Sequence, residues 1–76
     1  MYFEDIKAVV MDQTGCDASK VALESKFIED IGMDSLDLYQ VIMNLEEKFG
    51  IEIPSEDAEK IKTVGDAVEY VKSKKG

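Results

Sequence analysis

Seventy-six residues with nine lysines, no arginine, histidine or tryptophan, and one cysteine give a chain of net charge −8. A domain of this size buries only about 60 to 65% of its unfolded surface, which argues against a deep enzyme cleft, while an apolar content of 45% is ordinary for a folded domain. The acidic balance speaks against nucleic acid and anionic membrane surfaces as partners, because both reward clustered basic side chains.

Phe3, Ile6, Val9 and Val10 recur at helical spacing and predict an amphipathic helix over residues 3–13, ended by Thr14-Gly15. From Cys16 to Met33 the period disappears. Val21, Leu23, Phe27, Ile28 and Ile31 are scattered there, predicting a long loop tacked to the core by those side chains. Long loops in small domains are often functional.

Asp34 is a good N-cap, Asp37 favours the positive helix end, and Leu38, Val41, Ile42, Leu45 and Phe49 follow as one apolar face up to Gly50. Ile51 to Pro54 read as extended, since proline disfavours helical geometry in the residue before it. Ser55 is expected to cap a short helix through Ile61. Thr63 and Asp66 resemble a capping box, and Val64, Ala67, Val68 and Val71 give a last helix that frays from Ser73.

The sum is an all-α, four-helix bundle with a long first connection and a short third helix, one domain over residues 1–76. The longest apolar run, Ala8 to Met11, falls far short of the ~20 residues of a spanning helix. Cys16 cannot pair within the chain, and the first residues lack the basic and apolar regions of a secretion signal. These features predict a cytoplasmic protein with no membrane anchor, and a monomer is expected.

Chemistry is limited by what is missing. Without histidine there is no Ser-His or Cys-His pair, and metal sites built on histidine or several cysteines are excluded. A calcium loop starting at Asp12 fails, because its sixth position is Asp17 in place of glycine and its twelfth is Leu23 in place of a carboxylate. Gly32 before Asp34 lacks the repeated glycines of a phosphate-cradling loop. The neighbouring pairs Glu46-Glu47 and Glu56-Asp57 diverge by about 100° on a helix and cannot flank one bond.

Ser35 stands at the head of the strongest helix pattern. With no base to activate it, it is a weak nucleophile, yet the helix start suits a phosphate. Asp34 and Asp37 could hold a divalent ion for a phosphate-transferring partner. Leu36, Gln40, Met43 and Glu47 form a second stripe beside Tyr39, away from the core face. That stripe is either a docking ridge or a cover for a neighbouring loop. Residues 29 to 59 hold ten acids and only Lys48 as a base, a field that steers basic partners to one side.

The run Glu29-Asp30-Ile31-Gly32-Met33-Asp34-Ser35-Leu36-Asp37 resembles the acyl carrier proteins, and the likeness continues through residues 45–54 and 57–70. It covers about residues 3 to 73. The resemblance implies a right-handed four-helix bundle with no enzymatic activity of its own. It further implies that Ser35, flanked by Asp34 and Leu36, receives 4′-phosphopantetheine from coenzyme A through a separate phosphopantetheinyl transferase. The arm's thiol would carry acyl thioesters among acyl-transferring and chain-elongating enzymes with basic docking patches, in fatty acid biosynthesis or a related polyketide or secondary pathway.

By the same resemblance the recognition surface maps onto Asp34, Leu36, Asp37, Gln40, Met43, Glu46 and Glu47, with Glu56 and Asp57 on the short helix. The acyl-sheltering positions map onto Ile28, Val41, Leu45, Ile53, Ala58, Ile61, Ala67 and Tyr70. Two departures bear on partner choice: Gln40 stands where an acid is usual, and Leu38-Tyr39 is bulkier than the common pair. The alternative reading is an acidic helical interaction module that works unmodified.

Overall fold

The computed structural model describes residues 2–75. Four α-helices make up the regular structure: α1 (Tyr2–Thr14), α2 (Ser35–Phe49), α3 (Ser55–Ala58) and α4 (Val64–Lys75). A single 3-10 turn, Ala18–Lys20, lies in the first connection. Helix α1 packs against both α2 and α4. Their inward faces meet in one core, with Ile6, Val10, Val41, Leu45, Val64 and Val71 among its most enclosed side chains.

Helix α2 starts and stops for the reasons its sequence gives. The Asp34 carboxylate accepts from the Asp37 N–H at 2.8 Å, satisfying one of the free amides of the first turn. At the other end Gly50 takes φ of 66°, a left-handed conformation, and its N–H closes onto the Glu46 carbonyl. The α4 start shows the reciprocal box: Asp66 N–H donates to Thr63 Oγ1, while the Asp66 carboxylate accepts from the Lys62 and Thr63 amides.

Other local expectations need correction. Ser55 does not cap α3; Pro54 holds that position without a side-chain bond, and Ser55 is already helical. The helix closes at Ala58 and continues only as a hydrogen-bonded turn, with Lys60 N–H to Asp57 O and Ile61 N–H to Ala58 O. Such tightening to i→i+3 bonds is common where a short helix ends. Helix α4 runs on to Lys75, past the expected fraying point at Ser73, with Lys72, Lys74 and Lys75 in its last turn complementing the negative helix end.

The first connection is tied down differently from the sequence expectation. Val21 and Phe27 are buried and Ile31 is half-buried, but Leu23 is 52% and Ile28 49% exposed. Buried Met33 joins the anchors. The rest of the attachment is backbone: Gly65 N–H donates to Leu23 O at 2.8 Å, Val64 N–H to Ser25 O, and Phe27 N–H to Lys62 O, around an antiparallel bridge between Lys26 and Thr63. The buried Ser25 hydroxyl adds a local knot, donating to Lys20 O and accepting from Ala22 N–H.

Candidate functional site

Ser35 is the first helical residue of α2 and is exposed. The capping geometry turns the Asp34 carboxylate back onto Asp37, away from general-base work, and the first intrahelical bond runs from Leu38 N–H to Asp34 O. The Ser35 and Leu36 amides remain at the open, positive end of the helix. An anionic group joined to Ser35 would be favoured there without any enclosing cavity. Among the described residues no cluster of three potential metal ligands occurs.

Beyond Ser35, α2 presents Leu36, Tyr39 and Met43 as large apolar side chains 67%, 56% and 42% exposed, interspersed with exposed Gln40 and Glu47. The opposite face, Val41, Ile42, Leu45 and Phe49, is buried. Leu38 lies between the two and is half-buried. Asp37, another of the acids expected to meet partners, is partly covered.

Two further acids of that set are engaged inside the molecule. Glu46 accepts from the Ile53 N–H at 2.8 Å, holding the extended segment after Gly50. Asp57 accepts from the Tyr70 hydroxyl at 2.7 Å, tying α3 to α4. The Tyr70 pKa is pushed up to about 12, first by partial burial, then by the hydrogen bond to Asp57 and the negative charges of Asp57 and Glu46. Glu56 remains exposed.

A groove of about 480 Å³ opens between the α2 start, the end of α3 and the first connection. Ile28, Leu38, Ala58 and Ile61 supply its apolar wall, and Lys26, Glu29, Glu59 and Lys62 complete its lining. Ile61 and Tyr70 line a second, smaller depression of about 370 Å³, together with Asp57, Lys60, Asp66, Glu69 and Ser73. The remaining positions matched to acyl shelter, Val41, Leu45, Ile53 and Ala67, are packed in the closed core. Spacing alone puts Leu38 on the core face; its position one turn after Ser35 is the sequence signal for its place on the groove. The lysines of the rim carried no sequence signal, because the pairing of Lys26 with Thr63 is a tertiary event.

The comparisons with known proteins agree with this architecture. The family profile described as phosphopantetheine attachment site matches residues 4–71. Acyl carrier proteins of Helicobacter acinonychis and Clostridium acetobutylicum are 58% and 52% identical over 73 residues, spanning 96% of this chain and 94% and 95% of theirs. The chain belongs to the acyl carrier protein family. Acyl carriage and a covalent 4′-phosphopantetheine group follow from that membership. A solved Mycobacterium tuberculosis structure assigned to the same proteins superposes with a TM-score of 0.89 at 36% identity, covering 96% of this chain and 97% of that one. The all-helical fold is thereby shared.

Proposed function

We propose that Ser35 is the residue that bears the phosphopantetheine, and that the chain acts as a carrier which catalyses no step itself. The observation that carries this reading is an exposed serine at the open N-terminus of α2, beside a carboxylate already committed to capping and in a chain without histidine. Such a hydroxyl is a handle. Its activation falls to a separate phosphopantetheinyl transferase, which must remove the Ser35 proton as the new P–O bond forms and the pyrophosphate P–O bond of coenzyme A breaks, releasing adenosine 3′,5′-bisphosphate. When bound, the group supplies a terminal thiol that holds acyl chains as thioesters.

The protein's own residues then orient and display. Helix α2 fixes Ser35 at a positive helix end, and Leu36, Met43 and Tyr39 offer apolar contact within an acidic surround. Asp37, Gln40 and Glu47, with Glu56 on α3, form the polar rim for acyl-transferring and chain-elongating enzymes with basic patches. Glu46 and Asp57 serve this face chiefly by bracing the backbone behind it. Among the described residues no helix is long and apolar enough to cross a membrane, which is compatible with work in the cytoplasm. Fatty acid biosynthesis, or a related polyketide or secondary pathway, is the setting we favour.

Intact mass after co-expression with a phosphopantetheinyl transferase tests the proposal. The wild type should gain one phosphopantetheinyl group and Ser35→Ala none. A wild-type mass that never shifts, or a shift that survives the substitution, would sink it.

A further inference from the structure

Backbone pairing between the first connection and the segment before α4 places two lysines on one groove. Phe27 N–H donates to Lys62 O at 3.0 Å, and Lys26 bridges to Thr63, so residues 35 and 37 apart in sequence become neighbours. Both line the groove whose apolar wall is Ile28, Leu38, Ala58 and Ile61. Their charges differ in availability. Lys26 Nζ lies 3.1 Å from Glu29 Oε2, whereas Lys62 has no carboxylate within ion-pair distance among the described residues.

We propose that this groove favours acyl chains that end in a carboxylate over neutral chains of equal length, with Lys62 as the specificity-determining residue. The inference rests on Ser35 bearing the arm, since the acyl group must be tethered one turn away from Leu38. A volume of about 480 Å³ is within the range of small-ligand clefts. The wall accepts methylenes of either cargo, so discrimination falls to the rim. There Lys26 and Glu29 largely cancel, leaving Lys62 and Glu59 as the unmatched charges. The protein's wider negative charge is screened beyond about 8 Å at physiological salt; the nearest other acid, Asp66, is engaged by the Lys62 and Thr63 amides and lines the second depression, not the groove. Lys62 is free to turn its flexible stem toward a chain end, while the Glu59 carboxylate can turn outward into solvent.

The test uses the arm-bearing protein loaded with octanoyl or with its ω-carboxylate counterpart. The readouts are the rate of thioester cleavage by hydroxylamine and the amide shifts of Ile28, Leu38, Ala58 and Ile61. At low salt the carboxylate-ended chain should be protected about two- to fivefold better than octanoyl, the span expected of one partly exposed charge pair. Lys62→Gln should abolish that difference, as should 0.5 M salt (about a 4 Å screening length), with octanoyl protection unchanged. The substitution keeps the Lys62 backbone bond to Asp66, so the fold is retained. Equal protection of the two chains in the wild type overturns the proposal. So does a Lys62→Gln effect of the same size on both, which would mean that the lysine meets the arm's phosphate. Failure to load at all strikes the Ser35 assignment instead.

Discussion

Gly65 sits where the first turn of α4 touches the connection before α2. A Cβ there would stand 2.9 Å from the Leu23 carbonyl oxygen, closer than real contacts allow, and the obstacle is backbone that cannot swing aside. The Gly65 N–H also donates to that oxygen. Gly65→Ala should therefore push the loop away and destabilise the protein by about 1 to 2 kcal/mol, the overpacking cost outweighing the gain in helix propensity. For a domain this small, that lowers the melting temperature by roughly 4 to 16 °C, which thermal unfolding by circular dichroism will show; an unchanged midpoint refutes the packing argument. At this scale the sequence spoke unevenly. The Asp34 cap and the Thr63-Asp66 box were legible because capping depends on neighbours in the chain. The Leu23 contact was not, because a side chain expected to anchor the loop is exposed and its carbonyl does the anchoring.

Helix α3 has only four residues, so intrahelical bonds alone cannot hold it. Its tether is the hydrogen bond from Tyr70 on α4 to Asp57, supported by a longer one at 3.4 Å from the same hydroxyl to Glu52 O. The neutral phenol is the bonded form, and its pKa in the fold lies above the ordinary value of 10.0. The tether's contribution is thus complete below pH 10 and is lost as pH rises through about 12. Tyr70→Phe should cost about 0.5 to 1.5 kcal/mol at pH 7, and the gap between wild type and variant should close between pH 10 and 12. Denaturant unfolding of both proteins across that range checks the sign, and a gap that widens with pH would refute it. The sequence marked Tyr70 only through resemblance, as an acyl-sheltering position. Its hydroxyl partner, thirteen residues away, follows from the crossing of α3 and α4 and from no local rule.

Across the whole molecule, charge is the dominant long-range property. Residues 29 to 59 carry ten acids against one lysine, four of the acids (Asp34, Asp37, Glu46 and Glu47) at the cap or within α2, and three lysines close α4. Encounter with a basic partner should be steered, so the association rate with a phosphopantetheinyl transferase should drop at least about tenfold between 0.05 and 0.5 M salt. Stopped-flow measurements decide this; a rate flat in salt would show that apolar contacts through Leu36, Tyr39 and Met43 dominate from the start. Gln40 removes one acid from that field, a small loss given that exposed pairs are worth about 0.2 to 1 kcal/mol.

Local chemistry was enough to determine the helix order, the caps of α2 and α4, the apolar face of α2 and the serine at its head, since periodicity and capping act over four residues or fewer. The family likeness supplied the role proposed for that serine. Only the tertiary structure decided that Glu46 and Asp57 turn inward as braces, that half the positions matched to acyl shelter lie in the core and not on the groove, and that Lys26 and Lys62 share that groove. Each of those depends on which distant backbone groups find one another when the connection docks on α4, and that geometry is set by packing of the whole chain.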